Sequence, residues 1–276
     1  MSDTNDELQE VLHNIQQALI QQKEMFGETL YLDLEDEQSE EQLMPSRKKT
    51  TVAEEGPDLF GFVAPKTTPE QEHLPSYPSE PWVSAGSLAE LDSMICDCVK
   101  CPLGQTRTKF VFGVGNANAD IVMIGEAPGA DEDAQGEPFV GRAGQLLNKI
   151  LEAIHFKRED VYICNILKCR PPNNRDPEPV EIDTCEPYLW KQLELIKPKI
   201  IVCLGRIAAM TLLRTTESLN TMRGKIFTYR GIKVLVTYHP AALLRNPNWK
   251  KPTWEDVQFL RKIYDEMKEE ENKGSS

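Results

Sequence analysis

Three short, predominantly apolar runs mark the chain beyond residue 118: Ala119–Gly125 (ADIVMIG), Val161–Leu167 (VYICNIL) and Lys199–Leu204 (KIIVCL). Runs of this length without polar alternation suit strands covered on both faces. Around them the apolar period lengthens to that of a helix, over Ser87–Ile95, Gly144–Ile154, Pro179–Ile196, Arg206–Leu213 and residues 254–271. Prolines and acidic residues open the 179–196 segment, as a helix N-terminus favours. Lys225–Tyr229 and Lys233–Thr237, separated by Arg230-Gly231, predict a hairpin that supplies the last sheet strand. Strands alternating with helices predict a three-layer α/β/α domain over residues 87–272, built on a mostly parallel four-stranded central sheet.

The first third of the chain follows another pattern. Leu8, Val11, Leu12, Ile15, Leu19 and Ile20 fall close to helical spacing, which predicts an amphipathic helix within residues 1–26. A lone helix of that length is marginal in water, so a protein partner is expected for it. Residues 27–86 are acidic and Pro-rich and read as a disordered linker carrying one apolar patch, Leu59–Phe62. Charge follows the same division. Residues 1–90 carry 19 acidic against 5 basic side chains, whereas the rest carries 25 against 26. The formal charge of −13 therefore belongs to the extension, and it does not exclude a polyanion as the ligand of the domain. No signal peptide and no membrane-spanning run is evident, so a cytoplasmic protein with a monomeric domain is expected.

In parallel sheets ligands bind beyond the carboxyl ends of the strands. The segments there are Gly125–Gly129 (GEAPG), Asn165–Arg175 (NILKCRPPNNR) and Thr237–Pro247 (TYHPAALLRNP), the least generic stretches of the chain. All seven cysteines lie beyond residue 95, and clustered thiols in a reducing compartment point to metal binding or chemistry. Cys98-x2-Cys101, with Cys169 and Cys185, offers four thiolates, which spacing alone allows to close a zinc site or hold an iron–sulfur cubane. Cys96 competes by position. Cys164 and Cys203 lie inside strand runs and read as packing residues.

Across residues 90–270 the sequence resembles the family 4 uracil-DNA glycosylases of bacteria and archaea. The resemblance rests on GEAPGADED (125–133), PFVGRAGQLL (138–147), VYICNILKCRPPNNR (161–175) and HPAALLRNP (239–247), in the family's order and with its cysteines. It implies excision of uracil from single- or double-stranded DNA, starting base excision repair. It also implies a structural 4Fe–4S cluster on Cys98, Cys101, Cys169 and Cys185, with no nucleotide cofactor.

Roles follow residue by residue. Ala127 stands where other uracil glycosylases carry a water-orienting Asp, so the resemblance leaves Glu126, and after it Glu132, as catalytic or site-shaping carboxylates. Phe139 is expected to stack on the flipped base and Asn165 to read its Watson–Crick edge. An Asn amide supplies one acceptor and one donor, matching N3–H and O4 of uracil and mismatching cytosine. His239 is expected to donate to uracil O2 as negative charge grows there. Asn174 is a further polar group near the site. Leu243 and Leu244 are wedge candidates, and Arg245 and Arg142, with Lys168, Arg170 and Arg175, are phosphate candidates.

Three other functions are compatible with parts of the pattern. A covalent trap of abasic sites would need a His in an inserted loop where this chain reads KCRPPNNRDPEP. A catalytically weak damage sensor would not need Glu126, Asn165 and His239 together. A dinucleotide-binding protein is suggested only by Gly113-x-Gly115, which precedes a strand instead of following one.

Overall fold

The computed structural model describes residues 79–274. The expected helix of residues 1–26, most of the linker and the Leu59–Phe62 patch lie outside them. The sheet has six strands: β1 (Val114–Gly115), β2 (Ile121–Gly125), β3 (Tyr162–Asn165), β4 (Ile200–Leu204), β5 (Phe227–Tyr229) and β6 (Ile232–Thr237). Their order is β1-β3-β2-β4-β6-β5. The four central strands are mutually parallel, as the sequence predicts. The correction is at the edges, where β1 and β5 each add an antiparallel strand. β5 is the first arm of the predicted hairpin, whereas the two-residue β1 is too short to leave a pattern.

Why the sheet is covered twice is visible in its side chains. Along β2, Val122 and Ile124 enter one apolar cluster and Ile121 and Met123 the other. β4 repeats the split, with Ile201 and Cys203 on one face and Ile200, Val202 and Leu204 on the other. That is the two-residue period of a strand, with both faces buried. The first face is covered by α1 (Leu88–Ile95), α5 (Pro179–Ile196) and α6 (Arg206–Leu213), and the second by α4 (Arg142–Ala153) and α9 (Lys250–Gly274). Ser87 caps α1 by accepting from the Glu90 N–H at 3.2 Å, and Pro179 starts α5 where its missing N–H costs nothing. The shorter helices are α2 (Leu103–Thr106), α3 (Ala130–Gln135), α7 (Leu219–Met222) and α8 (Pro240–Arg245).

The domain begins earlier than residue 87. Pro81–Ser84 forms a 3₁₀ turn, and Trp82 is 4% exposed with its ring edge-on to Tyr188 at 4.9 Å. The end of the segment assigned to the linker is therefore part of the folded body, because one large aromatic outweighs the acidic, Pro-rich composition around it.

Candidate active site

The carboxyl ends of β2, β3 and β6 open onto a cleft of about 340 Å³. Glu126, Ala127, Glu132, Phe139, Asn165, Asn174, His239 and Arg245 all line it, bringing together residues up to 119 positions apart in sequence. Parallel pairing places Gly125 opposite Asn165. A Cβ on Gly125 would stand 2.3 Å from Asn165 Oδ1 and 2.8 Å from Phe139 Cζ. Only glycine lets the Asn amide and the aromatic ring meet over the end of β2.

Asn165 is 2% exposed, and its Oδ1 is one of two buried side-chain polar atoms without a partner among the described residues. A buried acceptor left open costs free energy unless a ligand supplies the donor. Phe139 stands beside it in an uncommon left-handed backbone, φ 55°. Its ring lies 5.3 Å from that of His239 and tilted by 31°.

His239 caps α8: its Nδ1 accepts from the Ala241 N–H at 3.1 Å. The proton of the neutral ring therefore sits on Nε2, which leaves a donor. Burial, reinforced by the Arg245 charge, lowers its pKa to about 4, so the ring is a neutral donor at physiological pH.

The carboxylates divide by partner. Burial first, and then Asp176, raises the Glu126 pKa, against the opposing pull of Arg206 and Arg245. Glu132 is occupied: Oε2 accepts from the Gly129 N–H at 3.1 Å, and Oε1 from the N–H groups of Val140 and Gly141 at 3.0 and 3.1 Å. Both its oxygens are thus engaged by the loop backbone, an arrangement that suits the site-shaping alternative of its two expected uses. Asn174 accepts from Arg170 Nε at 2.8 Å and sits in a left-handed pair with Asn173.

Several of the expected DNA contacts are redistributed. Leu243 is 1% exposed inside the second apolar cluster and cannot act as a wedge, whereas Leu244 is 40% exposed. Lys168 is fully buried and cannot reach a phosphate; its Nζ donates to the Asn165 carbonyl at 2.8 Å and to Gln192 Oε1 at 2.6 Å. Arg175 is held bidentately by Glu181 at 2.7 and 2.9 Å. Arg142 is exposed at the start of α4, outside the cleft lining. Sequence reasoning missed Asp176, which lines the cleft from the Arg175-Asp176-Pro177 turn. Its one signal was its place in the polar segment after β3. It also missed Arg158, treated below, which sits in an ordinary charged turn.

Near the start of α5, Cys98 and Cys101 approach Cys169, and Cys169 and Cys101 approach Cys185. Donors surround the sulfurs: Arg107 Nη1 to Cys169 at 3.4 Å, the Lys168 N–H to Cys185 at 3.3 Å and the Tyr188 hydroxyl to Cys98 at 3.2 Å. Cys96 turns away, its thiol bonded to the Ser93 carbonyl at 3.7 Å. Burial holds the Lys168 pKa below its ordinary value, against the opposing influence of Cys164, Cys185, Asp92 and Cys169. Four thiols with hydrogen-bond donors beside three of them suit a thiolate-bound metal group.

Residues 112–263 match the family model described as the uracil DNA glycosylase superfamily. The chain is 49% identical over 185 residues to a type-4 uracil-DNA glycosylase of Archaeoglobus fulgidus, covering 64% of this chain and 93% of that protein. It is 49% identical over 173 residues to the type-4 uracil-DNA glycosylase of Saccharolobus solfataricus (59% and 80%). It is 44% identical over 186 residues to that of Sulfurisphaera tokodaii (64% and 84%).

Proposed function

The chain belongs to the uracil DNA glycosylase superfamily, and from its site we propose that it is a type-4 uracil-DNA glycosylase, hydrolysing the bond between uracil and deoxyribose to start base excision repair. The observation that carries this is the unpartnered, buried Asn165 Oδ1 facing the cleft beside Phe139 and the neutral donor of His239. Uracil extruded from DNA supplies what they lack: a flat face for Phe139, an N3–H for Asn165 Oδ1 and an O2 for His239 Nε2–H. Cytosine carries no hydrogen at N3 and would leave the acceptor open, which a polar site penalises strongly.

As the C1′–N1 bond breaks, its electron pair passes to the base and gathers on O2, where the His239 hydrogen bond strengthens. The sugar left behind is oxocarbenium-like. Glu126, when ionised, stabilises that cation and holds the water whose oxygen joins C1′, accepting the proton that the water gives up. Ala127 provides no carboxylate to share the task. Leu244 and Arg245 serve the DNA, as a wedge and a phosphate contact, with Arg142 at the margin.

Cys98, Cys101, Cys169 and Cys185 hold a 4Fe–4S cluster. When bound, it supplies a structural tie between the segment before β1 and the loop after β3. The free thiols suit the cytoplasm. Among the described residues no helix is long and apolar enough to cross a membrane.

The test is incubation with single- and double-stranded uracil oligonucleotides, followed by alkaline cleavage of abasic sites. Multiple-turnover strand breaks are expected. Stoichiometric shifted bands would mean covalent trapping, and binding without product a sensor; either overturns the reading. A broad visible absorbance and about four irons per chain are expected of the purified protein, and bound zinc in their place overturns the cluster.

A further inference from the structure

Phe139 is the least comfortable residue of the cleft. Its φ of 55° lies where side chains are rarely found, in a segment with no glycine at that position. Such a conformation persists only where its surroundings hold it, and here the surroundings are charged.

The peptide joining Phe139 to Val140 is gripped at both ends. Its oxygen accepts from Arg158 Nη1 at 3.3 Å, and its N–H donates to Glu132 Oε1 at 3.0 Å. The flanking peptides are held in the same sense. Arg158 Nη2 donates to the Pro138 carbonyl at 2.6 Å, and Glu132 Oε1 also takes the Gly141 N–H at 3.1 Å. Arg158 is itself fixed to α4 through Asn148 Oδ1 at 3.2 Å. Burial lowers the pKa of its guanidinium, and the charges of Glu137 and Glu132 offset that cost only in part. Space is reserved as well, because a Cβ on Gly144 would stand 1.8 Å from the Phe139 carbonyl oxygen.

We propose that Arg158 is a positioning residue for base recognition: with Glu132 it clamps the Phe139–Val140 peptide and so sets the height and tilt of the Phe139 ring against uracil. A planar fork on two successive carbonyls is a task for arginine, which a lysine point charge performs only in part. Arg158 lines no part of the cleft and acts only through Phe139. This inference rests on the proposed uracil site.

The experiment compares wild type, Arg158→Met, Arg158→Lys and Glu132→Gln by inhibition with free uracil and by the KM and kcat for a uracil oligonucleotide. Loss of a well-placed base–aromatic stack weakens binding by about 10-fold. Arg158→Met is expected to raise the uracil inhibition constant and KM by that order, with a smaller change in kcat. Arg158→Lys should recover part of the loss. Joined in one chain, Arg158→Met and Glu132→Gln should lose less than the product of their separate effects, since both release one peptide. If Arg158→Met only lowers the melting temperature and leaves the uracil inhibition constant at the wild-type value, Arg158 is merely structural and the proposal fails. Should Arg158→Met not fold, an unchanged inhibition constant in Arg158→Lys and Glu132→Gln overturns it equally. Wild type that cleaves no uracil DNA and is not bound by free uracil defeats the uracil site itself, a separate outcome.

Discussion

The cleft and the cysteine ring meet at the segment that β3 leads into, which gives Asn165 to one and Cys169 to the other, yet they are unfinished in opposite ways. In the cleft a neutral acceptor, Asn165 Oδ1, waits for a proton donor, and the His239 ring is neutral. In the cysteine ring the surplus is of donors: Arg107, the Lys168 N–H and the Tyr188 hydroxyl. On the proposed function, one region takes an uncharged, flat ligand that comes and goes and the other an anionic group that stays. Lys168 is shared, since its Nζ donates to the Asn165 carbonyl while its backbone N–H meets Cys185. A disturbance of either region is therefore expected to reach the other.

The largest effect should come from the side that stays filled. Cys101→Ser is expected to lose iron and visible absorbance and to lower the melting temperature by about 10 °C or more, since closing such a site contributes several kcal/mol to folding; retained iron with unchanged stability breaks the contrast. Next is Asn165→Asp, whose protonated form offers cytosine N3 a donor. Its rate on uracil should fall by about 100-fold, with a gain on cytosine; intact uracil activity would overturn the base-reading role of Asn165.

His239→Gln should lower kcat by about 10- to 100-fold. It also gives a pH test. The folded pKa of His239, about 4, lies below its ordinary value of 6.5. Its contribution to stability is therefore complete above pH 6.5 and is lost as pH falls towards 4, where the unfolded chain takes up the proton first. Melting temperatures between pH 7 and 4 should fall more steeply for wild type than for His239→Gln, and parallel curves would mean that the ring is not buried in its neutral form. The smallest effects separate two neighbouring leucines. Leu243→Ala should cost about 2–5 kcal/mol of stability, read by denaturant unfolding. Leu244→Ala should leave stability within about 0.5 kcal/mol and weaken activity a few-fold on double-stranded more than on single-stranded DNA. The reverse pattern would exchange their roles.

Much of the cleft was legible before any coordinate because its residues occupy strand ends, which apolar runs mark reliably. Asn165 closes VYICN, and His239 follows the last sheet strand. Leu243 and Leu244 were not separable, since adjacent identical side chains differ only in the direction their helix turns them. Lys168 and Arg175 read as phosphate ligands because a basic residue in a polar loop looks the same whether it faces solvent or a buried partner. Trp82 was hidden by the composition of its neighbours.

Sequence by itself determined the parallel central sheet, which is written in local apolar runs, and its motifs determined the family, from which the roles of the four cysteines and of the base-reading residues are inferred. Tertiary structure alone decided which charges are spent internally. Glu132, Arg158, Arg175 and Lys168 are all committed to backbone or buried partners, and a charge declares its use only when its distance to a partner is fixed.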